Sequence, residues 1–139
     1  HMQGAPLTMQ EQPAYADVLA AVQAFLRARV SAALAAGISR DRLLLDPGFG
    51  FGKTLQHNLD LLCHFDELSI DKLPLLAGIS RKSMLGTITG RPVAQRLAGS
   101  LAAALLATQR GASILRVHDV SETRDVLAVW QAVNTTEVA

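Results

Sequence analysis

Three short stretches of this 139-residue chain set glycine beside charged or hydroxylated residues: Asp46-Pro47-Gly48-Phe49-Gly50-Phe51-Gly52-Lys53-Thr54, Gly78-Ile79-Ser80-Arg81-Lys82-Ser83 and Arg116-Val117-His118-Asp119. The first is a glycine-rich turn directly after the apolar run Leu43-Leu44-Leu45. There, backbone can approach a ligand closely and amide groups can point at it. Asp46 has two readings: a turn former that caps the next segment, or a carboxylate held at a strand end to pair with the donor edge of a heterocycle. Its neighbours favour the second. The stretch from Gly78 offers a hydroxyl, two cations and backbone amides within six residues, against the alternative of a solvated basic turn. In the third, strand periodicity sets Arg116 and His118 on one face and Val117 on the other. Burying Arg116 in an apolar strand without a partner would cost several kcal/mol, so an anion or a carboxylate is expected beside it. An ion pair with Asp46 would be the purely structural version.

Two familiar phosphate loops fail against the first stretch. A P-loop needs glycine five positions before the glycine of Gly52-Lys53-Thr54, and Pro47 stands there, with no amide to give a phosphate. A dinucleotide fingerprint needs a third glycine where Lys53 stands. The remaining polar candidates are weaker. Cys63, among Leu61, Leu62 and Phe65, reads as inert core. His57 and His64 lack a Cys or carboxylate at metal spacing, and Asp66-Glu67 reads as a water-facing pair.

The elements that must hold these residues alternate. From Ala14 the apolar positions mostly keep helical spacing, with Pro13 to open a helix and Gly37 to end it. Leu43-Leu44-Leu45, Leu75-Leu76-Ala77-Gly78-Ile79 and Ile114-Leu115-Arg116-Val117 are short apolar runs of the kind buried in parallel sheets. Helical stretches are predicted from His57 to Leu68, from Pro92 to Arg110, and from Ser121 onward with Val126, Val129, Trp130 and Val133 on one face. His1-Met2-Gln3-Gly4-Ala5-Pro6 reads as a loop or the frayed end of a strand, and His1-Met2 also as a cloning scar. Strand-helix alternation means parallel βα units. Each polar stretch falls at the C-terminal end of its strand, the edge where β/α barrels and open α/β sheets bind ligands.

Composition excludes several classes. Half of the residues are apolar, which suits one compact domain, and a formal charge of +1 gives no basic excess for nucleic acid. The single cysteine precludes a disulfide framework and suits a reducing compartment, with the cytoplasm as the expectation. The strongly apolar run Leu97 to Ala107 falls short of the roughly 20 residues that cross a bilayer, so no membrane partner is expected.

Taken together, Leu-Leu-Leu-Asp46-Pro-Gly-Phe-Gly-Phe-Gly-Lys53, Gly78-Ile-Ser-Arg-Lys82-Ser-Met84 and Arg116-Val-His118-Asp-Val resemble the three C-terminal motifs of bacterial-type dihydropteroate synthase, in order and at matching spacing. The resemblance covers essentially the whole chain and makes His1-Met2-Gln3-Gly4 similar to the end of the family's fifth barrel strand. It implies an α/β fold, the C-terminal half of a TIM (β/α)8 barrel with about three parallel strands and four helices. Residues 1–139 would be a single partial domain, with the N-terminal half of the barrel absent.

The implied activity is a transfer in the folate pathway: p-aminobenzoate displaces diphosphate from the hydroxymethyl carbon of a dihydropterin, with Mg²⁺ whose ligand lies in that other half, and with sulfonamides as competitors. By the same resemblance Asp46, Lys82 and Arg116 are the catalytic residues. Asp46 would hydrogen-bond the pterin ring, and Lys82 would bind its other polar edge beside the amine. Arg116 would stack on the ring and, with His118, hold the diphosphate. Ser80 would meet the carboxylate of p-aminobenzoate, Phe51 would wall the pockets, and Gly78 completes the substrate-binding set. A homodimer built on the last helices is implied, and the chain by itself is expected not to turn over substrate. The competing expectation is a non-catalytic module that self-associates through an exposed sheet face.

Overall fold

A computed structural model of the chain describes residues 1–3 and 13–135. The part of the opening loop at Gly4-Ala5-Pro6 lies outside the described residues.

Helix α1 covers Val18–Ala35. It opens four residues later than the sequence pattern suggested, because the Asp17 carboxylate accepts from the Ala20 amide at 2.9 Å and caps the helix there. Val18, Val22, Leu26 and Val30, one every helical turn, form its buried stripe. By length and apolar composition α1 could cross a membrane, but this stripe packs into the core and Arg27 and Arg29 sit exposed in mid-helix.

Helix α2, Leu55–Cys63, begins with a capping box between Thr54 and His57. It ends five residues before the expected Leu68, and a 3-10 turn over Asp66–Leu68 follows. The expectation for Cys63 is corrected: it is exposed. Leu61, Leu62 and Phe65 occupy the inward side and leave Cys63 on the outer face, where its carbonyl accepts from Arg110 Nε at 3.2 Å.

The sheet is parallel. Strand β1, Leu75–Ala77, pairs with β2, Ala112–Leu115, with Leu76 opposite Ile114 and Ala77 opposite Leu115. The first predicted strand contributes only an isolated parallel bridge from Leu45 to Leu75, so among the described residues the expectation of three strands reduces to two and a bridge. The ladder runs on past β2, since the Arg116 amide donates to the Ala77 carbonyl at 3.0 Å.

Between the strands lie α3, Ser83–Thr89, and α4, Leu97–Gln109, and the chain continues into α5, Val120–Thr135. Among the described residues α3 adds a fifth helix to the four expected. Its Gly86 hid it from the sequence pattern, yet a Cβ there would stand 2.2 Å from Arg96 Nη2. The glycine therefore admits the Arg96 side chain at a cost of about 1 kcal/mol in helix propensity.

Alternation sorts the two faces of the sheet. Leu45, Leu75, Ala77 and Ile79 are buried on the helix side. Helix α4 meets that side through Ser100, Ala103, Ala104 and Ala107, all buried and small enough for close approach. At the centre Phe49 and Phe65, both fully buried, stack with centroids 5.8 Å apart. Burying such a ring is worth roughly 1.5–3 kcal/mol, and Phe49 thereby anchors the polar loop to the core. The other face shows Leu44 and Ile114 at 47% and 38% exposure.

Candidate functional site

The loop 46–54 is built by its own polar groups. Asp46 Oδ1 accepts from the Gly48 amide at 2.8 Å, the turn that aspartate forms two residues ahead of itself. Gly48 and Gly50 hold φ of +72° and +79°, and a Cβ on Gly48 would fall 1.8 Å from the His1 carbonyl oxygen. The His1 amino nitrogen donates to the Asp46 carbonyl at 2.8 Å, so the opening residues lie beside this strand end. Asn58, buried on α2, accepts from the Gly50 amide at 2.7 Å and donates to the Thr54 carbonyl at 2.6 Å.

Lys53 is 4% exposed. Its Nζ donates to the carbonyls of Gly48 at 2.8 Å and Phe51 at 3.1 Å, and to His1 Nδ1 at 3.1 Å. Burial, and then the Lys82 ammonium, push it down to about 8 against the pull of Asp46. Sequence reasoning assigned no role to Lys53 or Asn58. Asn58 did carry a signal: it is three and four positions before Leu61 and Leu62, on the apolar side of α2.

The second junction turns on Arg81, at φ +58°. Its amide donates to Ser100 Oγ at 2.9 Å, and its carbonyl accepts from Arg96 Nη1 at 2.9 Å. Its guanidinium grips both oxygens of Asp119, Nε to Oδ2 at 3.1 Å. The loop after β1 is thus tied to the end of β2. That hydrogen bond holds the Asp119 carboxyl below the ordinary carboxylate range, with burial opposing. A carboxylate depressed by folding stabilises the fold above its unfolded value, and the contribution is lost as pH falls through the folded value. Asp119→Asn is therefore expected to lower the thermal midpoint at pH 7, and the gap from the parent should begin to narrow below about pH 4 and close as pH falls on through the folded value. Circular-dichroism melts from pH 7 down through that range check this; a gap that stays constant throughout would remove the ion pair from the account.

Lys82 is half-buried, and its ammonium donates to the Phe49 carbonyl while standing 4.6 Å from the centroid of the exposed Phe51 ring. Burial lowers its pKa, Arg116 adds to the shift, and Asp46 opposes it. Asp46 and Arg116 thus both stand within electrostatic reach of Lys82, at the C-terminal ends of the strands. Gly78 sits beneath Arg116, where a Cβ would meet the Arg116 Cβ at 3.9 Å.

Arg116 itself differs from the sequence expectation. It is exposed and has no ion pair among the described residues. It shares the open sheet face with Ile114, so the burial cost that seemed to demand a partner does not arise. Ser80 is buried instead of reachable, and its Oγ accepts from the His118 amide at 3.3 Å and lies 3.0 Å from His118 Nδ1. The exposed hydroxyl at this junction belongs to Ser83.

This arrangement offers one acceptor carboxylate, the Lys82 ammonium, a guanidinium with an open face, and an imidazole fixed by a serine. It suits a planar heterocycle rich in N–H donors together with an anionic group. Among the described residues no group of three His, Cys, Asp or Glu side chains could share a metal ion. A separate cleft of about 470 Å³, lined by Leu115, Val117, Thr123, Arg124 and Trp130 among others, lies between β2 and α5 and includes none of the polar cluster.

The pterin binding enzyme family model matches residues 1–118. The chain is 54% identical over 132 residues to the dihydropteroate synthase of Haemophilus influenzae, an alignment covering 95% of this chain and 48% of that protein. A crystal structure of dihydropteroate synthase from Stenotrophomonas maltophilia with imidazole bound in its active site superposes with a TM-score of 0.96 at 50% identity, over 99% of this chain and 52% of that one. Dihydropteroate synthase from Xanthomonas albilineans in complex with 7,8-dihydropteroate superposes with a TM-score of 0.88 at 55% identity, over 90% and 48% of the respective chains. The chain spans about half the length of the curated relatives it matches.

Proposed function

Since the chain belongs to the pterin binding enzyme family, we propose that it carries the pterin-binding and leaving-group side of a dihydropteroate synthase site, on the C-terminal half of a (β/α)8 barrel. The convergence of Asp46, Lys82 and Arg116 on one sheet edge supports this most directly. Asp46, an acceptor when ionised, takes the N–H edge of the dihydropterin, and Lys82 donates to the ring's other polar edge. Arg116 lays its guanidinium on the ring and faces the diphosphate with His118.

The amine nitrogen of p-aminobenzoate forms the new C–N bond as the C–O bond to diphosphate breaks. The electron pair departs on diphosphate, and one amine proton is released. Positive charge growing on the ring and methylene is met by Asp46, and negative charge on the leaving oxygen by Arg116. Phe51 walls the amine's ring. The amine's carboxylate meets the Ser80–Ser83 turn, where Ser83 is the exposed hydroxyl, and sulfonamides compete at this position.

The resemblance also implies Mg²⁺, but the described residues do not fit it. The carboxylate beside Lys53 and Lys82 is Asp46, a poor environment for a hard cation that needs several oxygen ligands. No step here uses the metal.

Two titrations test the reading. The 139-residue chain should bind 6-hydroxymethylpterin with one site per chain and form no dihydropteroate, while a polypeptide of full family length carrying it turns over. Absence of pterin binding in both, or turnover by the 139-residue chain alone, would overturn the assignment. A cytoplasmic enzyme is proposed, as is a homodimer. Leu105, Val126, Val129, Trp130 and Val133 line an apolar groove on α4 and α5, with Val129 and Val133 at 67% and 69% exposure. Sedimentation should show a dimer at micromolar concentration that Val129→Asp dissociates; a monomeric parent would count against it. The second reading, a module that associates through its sheet, draws on the exposed Leu44 and Ile114. Val129→Asp would then leave association intact and Ile114→Asp would abolish it.

A further inference from the structure

Lysine is seldom buried without a carboxylate partner, because desolvating its ammonium costs several kcal/mol. Lys53 is 4% exposed and makes no ion pair among the described residues. Its donors go instead to the backbone carbonyls of Gly48 and Phe51, a chord across the middle of the glycine loop, and to His1 Nδ1 outside it. From the other side Asn58 grips the Gly50 amide at 2.7 Å. Between these anchors lie three residues that the Lys82 side chain meets. The Phe49 carbonyl accepts from its ammonium, and the Phe51 ring lies 4.6 Å from it. Its aliphatic stem runs over Gly50, where a Cβ would stand 3.2 Å from Lys82 Cδ.

We propose that Lys53 and Asn58 are positioning residues, which hold the 46–54 loop as a rigid cradle so that Phe49, Gly50 and Phe51 set the Lys82 ammonium where it meets the heterocycle. The proposal rests on the function assigned above and deepens it. Lys53 acts through Lys82 and touches no ligand itself.

The test needs a readout of Lys82 geometry apart from function. An ammonium held against the Phe51 ring puts the adjacent ε-methylene protons in the ring's shielding region. Their resonance in the 139-residue chain, assigned by its loss in Lys82→Met, should therefore lie upfield of free lysine. In Lys53→Met, which keeps the length and removes the donors, it should return toward the free position. In Lys53→Arg, which keeps donors, most of the displacement should remain. Asn58→Leu should act like Lys53→Met and serves if that variant fails to fold.

In titrations with 6-hydroxymethylpterin, Lys53→Met and Lys82→Met should each weaken binding at least about tenfold. The double variant should be no weaker than Lys82→Met alone, since two residues acting through one contact are not additive. A Lys82 resonance unmoved in a folded Lys53→Met or Asn58→Leu chain overturns the proposal, as does full additivity. A resonance that moves while neither Lys53→Met nor Lys82→Met changes pterin affinity upholds the cradle and overturns the assigned function instead.

Discussion

Arg116→Ala is expected to cut dihydropteroate formation by about 10²-fold or more in a polypeptide of full family length carrying this chain, equivalent to about 3 kcal/mol of transition-state stabilisation. Arg116 is exposed on the open face of the sheet, with no ion pair among the described residues to satisfy its charge. Its guanidinium is therefore available to lie flat on a heterocycle and to face a leaving anion. Its backbone is fixed by the bond to Ala77 at 3.0 Å, so truncating the side chain should leave the fold intact. The loss should fall mainly on kcat, because leaving-group charge develops only as the C–O bond breaks. Arg116→Lys should recover little, since an ammonium keeps the charge and loses the planar surface. Steady-state kinetics of the two variants decide it. An alanine variant within a factor of two of its parent would show that the chemistry lies elsewhere.

Asp46→Asn should weaken pterin binding by about tenfold, the roughly 1.4 kcal/mol that separates a hydrogen bond to a charged acceptor from a neutral one. Asparagine still offers an oxygen to the Gly48 amide, so the turn that Asp46 holds at 2.8 Å should survive. Asp46→Ala removes both contacts and should lose affinity further, together with a lower thermal midpoint. The carboxylate also opposes the downward shift of Lys53 and Lys82. In Asp46→Asn both ammoniums should therefore titrate lower than in the parent, Lys53 below its value of about 8. Titration calorimetry and the lysine ε-methylene resonances followed against pH measure the two effects. Unchanged affinity in Asp46→Asn would leave Asp46 as a turn former only.

Much of this site was legible in the order of residues. Polar stretches after apolar runs marked the strand ends, and period-2 alternation put Arg116 on the face opposite Leu115, where Ile114 is exposed as well. The element boundaries were less legible. α1 waits for the Asp17 cap, α2 stops at Cys63, and α3 was invisible because Gly86 reads as a breaker until Arg96 is seen filling the space above it.

Periodicity states which side of an element a residue faces, and so the chain's alternation by itself determined the parallel α/β plan and the edge at which Asp46, Lys82 and Arg116 lie. It cannot name the partner across the fold. The buried Lys53 on the Gly48 and Phe51 carbonyls and the withdrawal of Ser80 into a bond with His118 belong to the tertiary structure alone. So do the grip of Arg81 on Asp119 from 38 positions away and the reach of Lys82 to a carbonyl 33 positions back. The reason is physical: each such contact joins loops whose approach is set by the packing of Phe49, Phe65 and the small side chains of α4, a sum over many distant contacts that no local spacing encodes.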